Sequence, residues 1–432
     1  MYTIHYLAVT RYLDRKNPAF RNKSFATCTN GCNFALSTWP VKAIFINGKI
    51  MPLNKFKTFV LLVVMLVLFG GQATAQHKLW GSNLLLEGRV NYGFMINHHL
   101  EMKIFNAHFP SFEINLGKET YGRERWQAMY GYPFIGVSYW YSQMGNSQFL
   151  GSANAIFPYV NYPIIRNRKH ELNFRVGLGL AYLTKRFDRL ENYKYIAIGS
   201  HVNAAINLMA EYRWRFNPRM NFAAGLALMH FSNGSTKTPN YGINTPSINL
   251  AFAYRLSKEN TYLSRKIMPS LYTFEFPGTK TIDFSIGATA AYKDMGSEYG
   301  RTFMIYNMFG TVMKQFSFKS AFGIGFDLTY NESDYYFADL DNVPYEKKSD
   351  LLRFGIAPTY QLIMSNLSYN FAVGYYIKGK MAPTTTYFKL GLQYQITKGL
   401  FANLTLRTHF GQADFVGIGL GYKIPWIYSQ KL

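Results

Sequence analysis

The sequence predicts an all-β protein: an antiparallel transmembrane barrel of the outer-membrane kind, with about 14–16 strands. Three observations carry this. Segments of roughly ten residues alternate apolar with small or polar side chains, again and again along the chain. The composition is 18% aromatic, with 34 Tyr and 35 Gly in 432 residues, above the usage of an average globular domain. The only long apolar run, Phe59 to Gly71, has 13 residues and is too short for a typical spanning helix. Any crossing therefore falls to strands, which must close on themselves because lipid offers backbone groups no partner.

That apolar run follows Lys55 and Lys57 and precedes Ala73-Thr74-Ala75 before Gln76, the layout of a secretory signal peptide. Residues 51–75 are read as that signal, starting at Met51, and residues 1–50 as an extension of the gene model. An interfacial or anchor helix is the other reading of the run. Cys28 and Cys32 both fall in the extension, and one CxxxC pair makes neither a zinc site nor a redox motif. The chain from Gln76 has no cysteine and needs no disulfide. Without residues 1–75 the formal charge falls from +23 to +15, with 37 basic and 22 acidic residues. A basic exported barrel meets anionic lipid phosphates or carries basic loops, and export argues against nucleic acid as a partner.

Eight strands are expected near 86–97, 110–118, 131–144, 148–160, 171–183, 198–214, 219–232 and 246–256. The fifth is typical: Leu172, Phe174, Val176, Leu178, Leu180 and Tyr182 alternate with Asn173, Arg175, Gly177, Gly179 and Ala181. The eighth sets Ile248, Leu250, Phe252 and Tyr254 against Ser247, Asn249, Ala251 and Ala253. Residues 257–280, with Pro269 and Pro277, lack alternation and read as a connector. Another eight strands are expected from 281 to 424, the clearest around Leu367–Tyr375 and Phe388–Ile396. One barrel of about 14–16 strands is the simpler architecture. An eight-stranded barrel in 76–256 followed by a second β unit in 281–432, of unknown role, is the alternative. A secreted β-sandwich would alternate in the opposite sense; the export signal, strand number and aromatic load together favour the membrane.

The seventh strand carries the most informative motif. Met220, Phe222, Ala224, Leu226, Leu228, His230 and Ser232 share one face, opposite Asn221, Ala223, Gly225 and Ala227. In a membrane barrel the bulky apolar face meets lipid, so a base and a nucleophile two residues apart are aimed at lipid. Asn233-Gly234 and Pro239-Asn240-Tyr241-Gly242-Ile243-Asn244 follow. If the amino terminus starts in the periplasm, the first and seventh strands run outward, and the loop 233–245 faces the lipopolysaccharide leaflet.

On these residues the chain resembles the lipid A 3-O-deacylase family, in particular acyloxyacyl hydrolase-like outer-membrane proteins of Bacteroidetes. The resemblance lies in His230-Phe231-Ser232-Asn233-Gly234 and Pro239-Asn240-Tyr241-Gly242 on a barrel strand. Gly177 to Thr184 and Ile198-Gly199-Ser200 also match the group, and the likeness spans about 86–256. It implies hydrolysis of an ester-linked acyl chain of lipid A by a serine nucleophile, a histidine base and a glutamate that orients the base, with no metal or cofactor. Ser232 and His230 occupy the first two positions. Fourteen residues after the histidine, where the glutamate belongs, this chain has Asn244.

Asparagine can hold the imidazole tautomer through its carbonyl, as in Cys-His-Asn enzymes, but supplies no full charge to the imidazolium. Asn244 shares the lipid-facing register of Pro246, Ile248 and Leu250. Glu211 is the alternative acid, although its neighbours in register, Ala205, Asn207, Met209 and Arg213, mark a lumen face. Asn233, Asn240 and the backbone at Gly234 are the candidate oxyanion donors or positioning groups; as Asn-Gly and Pro-Asn pairs they equally serve as turn residues. His409, in register with Asn403, Thr405 and Arg407, reads as structural or as a trace of duplication, with Gly411 where a serine would stand. His98, His99 and His108 lack a carboxylate at ligand spacing and read as loop residues, not a metal site. Arg166, Arg168, Lys169, Lys185 and Arg186 lie either by headgroups or in periplasmic turns.

The function expected is that of an outer-membrane lipid A deacylase, with lipopolysaccharide and membrane lipid as partners. A non-enzymatic barrel, either a channel or a structural protein, and an esterase for other outer-membrane lipids are the competing readings.

Overall fold

Period-two alternation gives each strand one face for lipid and one for a lumen, and sixteen strands use it here. The computed structural model describes residues 83–257 and 281–427, apart from 97–99, 106, 123 and 297–299. It also describes a short antiparallel pair, β1 (Ile44–Ile46) and β2 (Lys49–Met51). The signal segment beyond Met51, Cys28, Cys32, nearly all of the 257–280 connector, His98 and His99 lie outside the described residues. Among the described residues no helix is long and apolar enough to cross a membrane.

The first ring comprises β3 (Leu84–Phe94), β4 (His108–Glu119), β5 (Phe134–Ser142), β6 (Ala153–Arg166), β7 (His170–Leu183), β8 (Val202–Arg215), β9 (Met220–Ser232) and β10 (Ile243–Arg255). The second comprises β11 (Thr281–Asp294), β12 (Thr302–Ser317), β13 (Ser320–Asn331), β14 (Arg353–Met364), β15 (Leu367–Lys378), β16 (Thr386–Gln395), β17 (Leu400–His409) and β18 (Gln412–Ile427). The all-β antiparallel barrel class is as expected, and so is the division into two sets of eight strands. The simpler expectation of a single ring is corrected: β10 pairs back onto β3 from Ser247↔Gly93 to Arg255↔Leu85, and β11 onto β18 from Thr281↔Ile427 to Ala291↔Gly417. With β9 and β3 on its two edges, β10 has no edge to offer β11. Alternation looks the same in one large ring or two small ones; tilt and stagger decide where a sheet closes.

The outer faces are apolar. Leu226, Ile248 and Leu250 are 65%, 62% and 69% exposed, which only lipid makes favourable for such a stripe. The first lumen is filled by paired charges. Arg89 Nη2 lies 2.8 Å from Glu87 Oε1 and 2.5 Å from Glu211 Oε2, and Arg213 Nη2 lies 2.6 Å from Glu87 Oε2 and 2.9 Å from Glu211 Oε1. Arg175 reaches Glu113 at 3.3 Å. Eight strands leave an interior just wide enough for side chains, and this cluster of three acids and three arginines lies within it.

The two barrels meet near both ends. At one end Tyr130 Oη donates to Ile363 O at 2.7 Å; at the other Ser235 Oγ donates to Ala413 O at 2.7 Å. Arg166, Arg168 and Lys169 belong to the β6–β7 turn at the Tyr130 end, where Arg166 donates to Gly131 O at 2.7 Å. Lys185 and Arg186 follow β7 at the end that carries the motif.

Candidate functional site

The end of β9 is fixed by one side chain. Phe231 is fully buried inside the ring, with its centroid 5.5 Å from that of Trp140. Because neighbours on a strand face opposite ways, this inward anchor turns His230 and Ser232 to the outer, half-buried side.

Strand pairing then supplies the third residue. Asn244 on β10 is the register partner of His230, and its Oδ1 lies 2.7 Å from His230 Nδ1. A carbonyl oxygen can only accept, so Nδ1 carries the proton and Nε2 is left with a free lone pair. Two residues on a strand span roughly 6.6 Å, within reach of an imidazole and a seryl hydroxyl. Glu211 is placed elsewhere: it is fully buried in the lumen charge cluster, opposite Gly225 on β9. As a substitute acid it is corrected, because its strand parity sends it inward while His230 points out.

The loop from Asn233 to Gly242 wraps the serine. Ser232 Oγ accepts from Asn240 Nδ2 at 3.0 Å and from Gly234 N at 3.2 Å. Asn240 Oδ1 accepts from Asn233 N at 3.1 Å. The Asn233 side chain is committed to the loop, since its Nδ2 donates to Ser200 Oγ and Lys237 O, both at 2.8 Å. Asn240 and the Gly234 N–H are thus the donors gathered at the hydroxyl, with Asn233 as their brace. Ser200 stands in the sequence only as part of the tripeptide Ile198-Gly199-Ser200, and nothing in its spacing announces a hydrogen bond to a residue 33 positions away.

Gly242 explains itself by closeness. Its φ is +81°, and a Cβ there would stand 3.0 Å from His230 Cε1. Gly242→Ala should push the ring aside by a few tenths of an ångström and lower turnover on the order of tenfold, since misplacement by 1 Å costs about a hundredfold. The check is turnover of the folded fraction, because a side chain at this positive φ also strains the turn; wild-type turnover would show the ring has room.

Two other histidines read from the sequence lie within the described residues. His409 is buried, with Nε2 3.3 Å from Asp414 Oδ2 and Nδ1 3.0 Å from Thr384 Oγ1, inside the second barrel as its alternation suggested. His108 is the first residue of β4 rather than a loop residue, and its ring lies 5.5 Å from Phe94. Among the described residues no group of three or more His, Cys, Asp or Glu is placed to hold a metal.

Two family models match the chain. "Lipid A 3-O-deacylase (PagL)" matches residues 111–253, and "Acyloxyacyl hydrolase, C-terminal domain" matches 276–426, the half in which no motif was assigned from sequence. A comparison with curated proteins found no match. Among solved structures, the outer-membrane enzyme PagL is 15% identical with a TM-score of 0.27, over 38% of this chain and 97% of its own. Neisserial surface protein A is 11% identical with a TM-score of 0.27, over 40% and 97%. Porin from Rhodopseudomonas blastica is 9% identical with a TM-score of 0.16, over 79% and 99%.

Proposed function

Because this chain belongs to the lipid A 3-O-deacylase family and resides in the outer membrane, we propose that it removes an ester-linked acyl chain from lipid A. In this reading Ser232 is the nucleophile, His230 the base and Asn244 the residue that orients the base. The observation that carries it is the 2.7 Å contact between His230 Nδ1 and Asn244 Oδ1, on the lipid-facing side next to Ser232. His230 Nε2 takes the Ser232 proton as Oγ attacks the ester carbonyl, giving a tetrahedral adduct. In this reading Asn240 Nδ2 and the Gly234 N–H, both on Oγ at rest, serve the developing oxyanion. The imidazolium then gives its proton to the departing sugar alkoxide, and water, activated by the same base, frees the fatty acid from Ser232. The steps need no metal or cofactor.

A conducting channel is disfavoured for the first barrel by its plug: Arg89 and Arg175 are fully buried across the lumen. The test is mass spectrometry of lipid A from cells with and without the protein. Loss of one hydroxyacyl chain is expected; unchanged lipid A beside a folded, inserted barrel would overturn the proposal.

Asn244→Glu tests the third position. A charge-assisted hydrogen bond is roughly twice as strong as a neutral one, so turnover should rise about tenfold. The carboxylate also favours the imidazolium over the neutral ring. Because catalysis needs the neutral ring, the acid limb of the kcat/KM profile should move to higher pH. A variant with neither change would remove Asn244 from the mechanism.

A further inference from the structure

The serine site is built on the first barrel, yet the loop around it is held from the second. Asp294, the last residue of β11, is buried at 4% exposure. Its Oδ2 accepts from Thr238 N at 2.8 Å and Thr238 Oγ1 at 2.9 Å, and Lys237 Nζ lies 3.4 Å from the same oxygen. Its own N–H donates to Ser235 O at 3.0 Å. Ser235 Oγ in turn donates to Ala413 O. Gly234, at φ +62°, passes so close to β18 that a Cβ on it would stand 2.2 Å from Val416 Cγ2. Every one of these contacts falls within residues 234–238, between the two groups, Gly234 N and Asn240 Nδ2, that hold Ser232 Oγ.

We propose that Asp294 is a positioning residue of the serine site, contributed by the second barrel, which fixes the loop 233–242 so that Asn240 and the Gly234 N–H stay on Ser232. A buried carboxylate that accepts two hydrogen bonds from one loop residue and pairs with its neighbour determines where that residue sits. Asn240 lies two residues further on, so a shift at Thr238 passes directly to it. The second barrel thereby becomes part of the catalytic unit. The catalytic consequence rests on the deacylase reading; the holding of the loop does not.

The test uses the full chain in detergent, as wild type, Asp294→Ala and Asp294→Asn, with two readouts. One is amide hydrogen exchange in residues 233–242; the other is the rate at which a fluorophosphonate modifies Ser232. Asp294→Ala should exchange faster through the loop and label about tenfold more slowly, with kcat for lipid A lowered and KM nearly unchanged. Asp294→Asn keeps an oxygen for Thr238 and should restore most of both, which general damage to the fold would not. Wild-type exchange in Asp294→Ala overturns the proposal, as does faster exchange with wild-type labelling. If wild type itself is not labelled, the serine reading falls, and exchange alone decides whether Asp294 holds the loop. Should Asp294→Ala fail to insert, Thr238→Val, which loses the hydroxyl donor, takes its place: faster loop exchange supports the proposal and an unchanged loop overturns it.

Discussion

Ser232→Ala should abolish lipid A deacylation, by about 10³-fold or more, while the barrel still forms. The size of the loss follows from the chemistry: without the hydroxyl no acyl-enzyme can form, and members of a nucleophile–base unit fail together rather than additively. For the same reason His230→Ala and the double variant should be no more active than Ser232→Ala alone. The stability cost should be about 1–3 kcal/mol, because the buried Gly234 N–H and the half-buried Asn240 Nδ2 lose Ser232 Oγ as their acceptor. Asn240 loses one partner but keeps Asn233 N. The measurement is lipid A mass spectrometry beside the heat-dependent gel mobility of the barrel. Full turnover by Ser232→Ala would mean that the nucleophile lies elsewhere.

What could be read in the sequence is what depends on local periodicity. The motif face was legible because strand parity is fixed: with Leu226 and Leu228 outside, His230 and Ser232 must also be outside. The meeting of His230 with Asn244 was foreshadowed by shared register, since a hairpin with a loop of set length pairs defined positions. The lumen place of Glu211 could be read in the same way from Asn207 and Arg213. Ring closure could not, because β10 alternates identically whether its next neighbour is β3 or β11. Asp294 was invisible for a different reason. Its partners lie more than fifty residues upstream on another barrel, and contacts between separately closed rings leave no periodic trace. Ser200 falls between these cases: its tripeptide stood out, but only the packing of the 184–201 loop against Thr238 and Asn233 gives it a role.

Glu211→Ala should be the most destabilising single change in the first barrel. Glu211 Oε2 lies 2.5 Å from Arg89, and Oε1 accepts from Asn161 Nδ2 at 2.7 Å and from Arg213 at 2.9 Å. Removing it leaves Glu87 and Glu113 to balance Arg89, Arg175 and Arg213, so a buried positive charge goes unpaired. Breaking a buried pair by deleting one partner costs about 3–5 kcal/mol, a large fraction of a typical folding free energy. Glu211→Gln keeps the shape and some of the hydrogen bonds and should cost less. Denaturant unfolding followed by gel mobility gives the ordering, and a Glu211→Ala barrel as stable as wild type would refute this account of the lumen. The same variants separate plug from catalyst. Glu211 is aimed into the ring and His230 out of it, so the folded fraction of Glu211→Gln should turn over lipid A at the wild-type rate. A lower rate at full stability would mean that the lumen charge acts through the strand on the site, and that the two faces of β9 are not independent.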